Sequence, residues 1–129
     1  MYYYEKHFTL DEARGYLPEL KTLLSEIRNH TLHLNEIGFN FFEGRYRPGF
    51  HPDTFSEFPD AYEAMIKLIR KITDLGIEIK GLENGLIDFP ALRENSEEVF
   101  LCWKIDEPDI EFWHAVDAGY KGRKHIDDF

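Results

Sequence analysis

The sequence predicts an α+β fold: a long antiparallel helical hairpin, coiled-coil-like, packed on a small three-stranded antiparallel sheet with a short C-terminal helix. Two observations support this fold class. Between residues 10 and 72, apolar residues recur at steps of three and four, the period of helices that pack along a seam. After Gly76, apolar residues alternate with polar ones, as in strands with one buried face. At 129 residues the chain is expected to form one domain, residues 1–129.

The first helix is predicted to begin after Thr9. Thr9 and Glu12 have the spacing of a capping box, in which each residue satisfies a free backbone N–H of the other. The apolar seam follows at Leu10, Ala13, Leu17, Leu20, Leu24, Ile27, Thr31 and Leu34. Continuing the same count predicts a helix that runs to Glu43 and ends at Gly44.

The second helix is predicted between Ser56, as its N-cap, and Gly76, with its seam at Phe58, Tyr62, Met65, Ile69 and Ile72. It is shorter than the first helix, so the apolar residues at the C-terminal end of the first helix must pack against something other than the second helix. Aromatic residues of the connecting loop, such as Tyr46, Phe50 and Phe55, are one source, and a second chain is the other. Self-association, with a dimer favoured, is therefore one expectation.

Two strands and a hairpin are predicted around Asn84-Gly85, a strong signal for a tight turn. A two-residue turn would pair Gly81 with Asp88 and place the Asp88 carboxylate on an apolar face, which is costly without a partner. The segment EVFLCWKI, residues 98–105, is the strongest strand pattern and is expected at the centre of the sheet.

The short C-terminal helix is predicted from Asp106 as its cap and Pro108 in its first turn. Steps of four, three and three would place four polar residues on one helical face: Glu107, Glu111, His114 and Asp117. Such a stripe can bind a divalent metal. The alternative is structural, with His114 and Asp117 bonded to backbone at the helix end.

Composition excludes several classes of partner. With 25 acidic and 15 basic residues the net charge is −10, which disfavours binding to nucleic acid or to an anionic membrane. The single cysteine, Cys102, excludes an intramolecular disulfide, and its place within a strand predicts an inert thiol. The N-terminus lacks a signal-peptide pattern and no apolar run is long enough to span a membrane, so we expect a cytoplasmic protein.

Four strings in order, FTLDEARGYLPEL, GLIDFPAL, VFLCWK and WHAVDAGYKGR, resemble an uncharacterised bacterial and archaeal family, domain of unknown function two-two-zero-three. The family pattern contains D-F-P-A, L-C-W, E-P and W-H-x-x-D-x-G-x-x-G-R. This sequence matches it at Asp88, Phe89, Pro90, Ala91, Leu101, Cys102, Trp103, Glu107, Pro108, Trp113, His114, Asp117, Gly119, Gly122 and Arg123. The resemblance implies no activity, but it groups the polar residues of the second half into one unit.

Two functional hypotheses follow. The first, which the sequence favours, is a non-enzymatic interaction or self-assembly module without a cofactor, whose partner is a second copy or another protein. The second is a divalent-metal or small-ligand site, with a hydrolytic activity as one form of it. Its metal ligands would be Asp88, Glu107 and His114, while Asp117 would orient the imidazole and Arg123 would bind an anionic group. The candidate site residues are Asp88, Cys102, Trp103, Glu107, Trp113, His114, Asp117 and Arg123.

Overall fold

The first helix, α1, spans Leu10–Glu36 in the computed structural model, which describes residues 2–52 and 58–129. The predicted capping box is confirmed: the Glu12 N–H donates to Thr9 Oγ1, and the Thr9 N–H donates to Glu12 Oε1, both at 3.1 Å. The predicted end at Glu43 is wrong. Gly38 has a φ of +73°, in the left-handed region that glycine adopts freely, and the chain leaves the helix there.

The second helix, α2, spans Asp60–Thr73 and packs against α1. The predicted cap Ser56 and the loop residue Phe55 lie outside the described residues. Beyond α1 the chain forms a small two-stranded sheet from β1 (Phe39–Asn40) and β2 (Arg45–Tyr46). The Phe39 ring contacts those of Tyr46 and Tyr62, with centroids 5.1 and 5.0 Å apart. The chain's own aromatic residues therefore cover the end of the helical seam.

The main sheet has five antiparallel strands in sequence order, so the prediction of three strands is wrong, although the α+β class is correct. The strands are β3 (Glu78–Gly81), β4 (Leu86–Leu92), β5 (Glu98–Lys104), β6 (Phe112–Ala115) and β7 (Lys124–His125). The central position expected for residues 98–105 is confirmed, because β5 is the middle strand.

The predicted C-terminal helix is also wrong, since its core, residues 112–115, is strand β6. The strand alternates sides, so that Trp113 enters the hydrophobic core and His114 faces the other way, and both are buried. Aromatic residues favour strands, and burial of the indole on one face outweighs the helical spacing of the polar residues. Two short 3-10 turns follow, Tyr120–Gly122 and Ile126–Asp128.

The β3–β4 register differs from the predicted one. The turn contains four residues, 82–85, so Gly81 pairs with Leu86, and Asp88 lies opposite Glu78. On its other side β4 pairs with β5, where Asp88 lies directly opposite Cys102 and so shares its face. The apolar residues that pack against the helices lie on the other face. Those core-facing residues are Ile87, Phe89, Ala91, Val99, Leu101, Trp103 and Trp113. The sheet thus has one face in the hydrophobic core and a second face that carries buried polar groups.

Candidate metal centre

Three side chains with metal-ligating atoms meet on this second face of the sheet. Asp88 comes from β4, Cys102 lies directly opposite it on β5, and His114 comes from β6, paired with Phe100. One ligand atom of each lies within 4.8 Å of those of the other two. The three residues are only 1–2% exposed. Three adjacent strands thus bring together carboxylate, thiol and imidazole from positions distant in sequence.

His114 is held by hydrogen bonds at both ring nitrogens. Nε2 lies 3.1 Å from each carboxylate oxygen of Asp88, and Nδ1 lies 2.8 Å from the Ala115 carbonyl. Burial acts to lower the pKa of His114, but the hydrogen bonds to Asp88 and Ala115, with the Asp88 charge, raise it above its ordinary value. Both nitrogens face acceptors, which is the arrangement of a doubly protonated imidazolium paired with a carboxylate.

Cys102 is protonated in the metal-free site. Burial raises the pKa of its thiol to about 12, and the nearby Asp88 charge acts in the same direction. The Arg123 guanidinium opposes this effect, with Nη1 at 3.9 Å from the sulfur. The thiol therefore needs a strong cation beside it to ionise near neutral pH.

Glu107 pairs with Arg123 and does not join the ligand cluster. Arg123 Nη1 donates to both Glu107 carboxylate oxygens, at 3.0 and 3.1 Å. Glu107 also accepts from the Lys104 backbone N–H at 2.8 Å, and its carbonyl accepts from Trp103 Nε1 at 3.0 Å. Glu107 thereby anchors Arg123 beside Cys102. Of the predicted metal ligands, the structure brings Asp88 and His114 together, and it places Cys102 with them instead of Glu107.

The remaining predicted site residues lie elsewhere. Asp117 is exposed in the turn after β6, and the role expected for it at the imidazole is taken by the Ala115 carbonyl. Trp103 and Trp113 are buried in the hydrophobic core, on the face opposite the cluster. Trp113 contacts the Arg93 guanidinium, whose carbon lies 4.5 Å from the ring centroid. Both tryptophans support the strands that carry the ligands.

Residues 6–126 match the model of an uncharacterised conserved protein family, DUF2203. The chain belongs to this family. No curated protein and no solved structure matches the sequence. The resemblance to DUF2203 seen in the sequence is thus confirmed at the level of the family, while the functional importance of its motifs stays a prediction. Among the described residues, none of the helices is both long and apolar enough to cross a membrane.

A cavity of about 230 Å³ opens beside the three ligating residues of this DUF2203 chain. Asp88, Cys102 and His114 line it together with Lys80, Tyr120 and apolar residues of the sheet and the following turn: Leu86, Phe100 and Val116. The cluster is therefore buried from bulk water but has free space on one side.

Two larger cavities, of about 550 and 610 Å³, lie around residues 41–42 and 81–82, and Lys80 lines both the second of them and the cavity beside the cluster. Phe41, Phe42, Gly81 and Leu82 line both of them. Among the described residues, Asp88, Cys102 and His114 form the group of three potential metal ligands, and none of the three lines these larger cavities. The linings of the larger cavities combine apolar side chains with polar and charged ones, such as Arg47 and Arg70.

Sequence reasoning missed Cys102 as a partner of Asp88 and His114. The missing step was the assignment of residues 112–115 to a strand. With β6 recognised, alternation along three neighbouring strands would have placed all three side chains on one face. The aromatic pair Phe112-Trp113 was the signal available in the sequence.

Proposed function

We propose that this chain binds a divalent transition metal ion, with zinc preferred, through Asp88, Cys102 and His114. The observation that carries the proposal is the convergence of three buried ligand atoms within 4.8 Å of one another beside a cavity. A mixed set of sulfur, nitrogen and oxygen donors suits zinc, whereas magnesium and calcium prefer oxygen donors alone.

The distances suit metal binding after a small closure. Zinc–nitrogen and zinc–oxygen bonds are about 2.0–2.2 Å, which puts adjacent ligand atoms about 3.0–3.5 Å apart around the ion. The Nε2 of His114 already lies 3.1 Å from the Asp88 oxygens. The widest separation in the cluster need shorten by only about an ångström to accommodate the longer zinc–sulfur bond of about 2.3 Å.

Charge balance favours a divalent ion. The metal-free cluster pairs the Asp88 carboxylate with the His114 imidazolium beside a neutral thiol. Metal binding would release the protons of Cys102 and His114, leaving two anionic ligands to neutralise two positive charges. The buried site is thus without net charge in both states, which keeps the cost of burying it low.

The Asp88–His114 pair also supports the alternative that the cluster is purely structural, since buried ion pairs occur in packed cores. Three features favour the metal: the third donor on Cys102, the Arg123 guanidinium placed to stabilise a thiolate, and the adjacent cavity.

Three protein ligands with one open position are typical of catalytic zinc, which polarises a ligand or lowers the pKa of bound water. A reducing, cytoplasmic compartment is part of the proposal because the thiol must stay unoxidised.

A zinc titration by isothermal calorimetry tests the proposal. The wild type is expected to bind one ion per chain, and His114→Gln to lose more affinity than the ~10–100-fold typical of changes outside the ligand shell. His33→Gln, at an exposed position on α1, is the matched control and should bind as the wild type does. Equal affinity in the wild type and His114→Gln would contradict the proposal.

Self-association is a second candidate function, favoured by the surface around Phe42. The Phe42 side chain is 86% exposed and borders both of the larger cavities. The neighbouring strand β3 is an edge of the main sheet. A second copy of the chain would bury the phenyl ring and cover this edge, as in an isologous dimer.

Light scattering after size exclusion tests the self-association. A dimer is expected for the wild type and for Tyr3→Ser, which removes an equally exposed aromatic ring elsewhere. Phe42→Ser should shift the mass toward the monomer. A wild type that stays monomeric as its concentration rises would rule this candidate out.

A further inference from the structure

The cavity beside the three ligands contains features of a binding site for a second molecule. Once a metal ion is bound, the charges of Asp88 and the Cys102 thiolate are neutralised by it. Among the residues that line the cavity, Lys80 is then the remaining charged group, so the cavity carries one positive charge. Such a cavity attracts an anion, even though the whole chain has a net charge of −10.

Lys80 is free enough to turn toward a ligand. Its Nζ lies 3.2 Å from a Glu78 oxygen, but the two side chains are 42% and 36% exposed, and exposed ion pairs of this kind contribute little. Its Nζ lies 5.3 Å from the centroid of the Phe100 ring, and both residues line the cavity beside the cluster. The ammonium group is thus placed to contact a ligand in this cavity.

Tyr120 adds a hydrogen-bond donor at the same cavity. Its hydroxyl oxygen accepts from Arg123 Nη2 at 3.4 Å. Because a cationic donor occupies the oxygen, the phenolic proton is available for a further acceptor. A ligand oxygen is the matching acceptor.

Part of the cavity lining is apolar. Leu86, Phe100 and Val116 belong to this part, and they offer no hydrogen bonds from their side chains. An inorganic anion such as phosphate would leave its oxygens unpaired against these side chains. A carboxylate with a short hydrocarbon chain matches both the polar and the apolar part of the lining.

We propose, building on the metal site above, that the open coordination position takes a small organic carboxylate. One oxygen of the carboxylate binds the metal, and the other contacts Lys80 and Tyr120. Its hydrocarbon part packs against Leu86, Phe100 and Val116. The carboxylate would be either a substrate or a regulatory ligand of the metal site.

The experiment uses the full chain loaded with cobalt(II), whose visible absorption reports its ligands. Acetate and butyrate are titrated separately, with phosphate as the comparison. Both carboxylates should change the spectrum saturably, with butyrate about tenfold tighter than acetate because two further methylene groups are buried. Phosphate should bind more weakly than butyrate.

Lys80→Met, which keeps the side-chain length and removes the charge, should weaken butyrate binding about tenfold through loss of a charge-assisted hydrogen bond. Lys67→Met, on the exposed side of α2, is the matched control and should leave it unchanged. A cobalt spectrum that butyrate does not alter, or equal butyrate affinity in Lys80→Met and the control, would overturn this inference while the metal site stands. Failure of the wild type to bind cobalt would overturn both.

Discussion

At the scale of single residues, the Asp88–His114 contact decides which chemistry the second face of the sheet supports. The two side chains are each 2% exposed, and each carboxylate oxygen lies 3.1 Å from Nε2. A neutral imidazole that donates from Nδ1 to the Ala115 carbonyl would present a lone pair to this carboxylate. A proton or a metal ion between the two resolves the repulsion, so the two compete for one place.

Cys102→Ser separates the metal-binding role of the thiol from its packing. The hydroxyl is slightly smaller, is a poor ligand for zinc, and can donate to the Asp88 carboxylate. We expect zinc affinity to fall at least ~100-fold, more than outer-shell changes cause. The free energy of unfolding of the metal-free protein should change by no more than about 1–2 kcal/mol. Calorimetric titration and urea denaturation give the two quantities, and undiminished zinc affinity would refute the assignment of Cys102.

Zinc affinity should depend on pH in two steps. Below the pKa of His114, which is raised, binding displaces protons from both His114 and Cys102, so affinity rises about 100-fold per pH unit. Above the pKa of His114, metal binding displaces only the proton of the Cys102 thiol, whose pKa is about 12. In this range zinc affinity should rise about tenfold per pH unit. Titrations with a competing chelator across this range measure the slope. A pH-independent affinity would be incompatible with the assigned ligands.

At the scale of elements, the sequence was sufficient for the start of α1, whose capping box was correct, and for the central strand β5. It failed where two periodicities conflicted. Residues 107–117 carry polar groups at helical spacing, yet burial of Trp113 in the core requires a strand. The seam of α1 likewise continued past Leu34, but Gly38 ended the helix. In the first place tertiary packing outweighed the pattern, and in the second a single glycine did. Cys102 was among the predicted site residues, but its proposed role as a metal ligand was missed because β6 was taken for a helix.

The role of Gly38 in ending α1 can be tested against Gly15 in the same helix. Gly38→Ala forces a side chain into the left-handed region and against the Phe50 ring, so it should lower the free energy of unfolding by at least about 1 kcal/mol. At Gly15 an added methyl group meets nothing within 4 Å, so Gly15→Ala should raise it by about 0.8–1 kcal/mol. Urea denaturation compares the two variants. Changes of the same sign would contradict this account of the helix end.

At the scale of the whole molecule, the sheet separates two tasks between its faces. One face, packed with the helices, contains the apolar core, and the other contains the buried polar cluster. The N-terminal segment covers part of this second face, where the Tyr4 ring lies 5.3 Å from that of Phe100. Stability and the proposed metal binding are therefore coupled through strands β4, β5 and β6.

This coupling gives the metal-free and zinc-loaded protein opposite dependences of stability on pH. The raised pKa of His114 stabilises the metal-free fold below about pH 6.5, the unfolded-state value, and this contribution is lost as pH rises through the folded-state pKa. Zinc should reverse the trend, because its affinity rises with pH. Urea denaturation with a chelator or with zinc measures both curves, and His114→Gln is the control that should remove both effects. Parallel curves would count against the coupling.

X-ray absorption at the zinc edge of the loaded wild-type protein tests the central claim most directly, because it reports the atoms around the metal. Zinc held by Asp88, Cys102 and His114 is expected to have one sulfur at about 2.3 Å and nitrogen or oxygen neighbours at about 2.0–2.2 Å. The sulfur can come only from Cys102 or a methionine, and its loss in Cys102→Ser would complete the assignment. A shell of nitrogen and oxygen alone, as zinc on surface histidines would give, would contradict it.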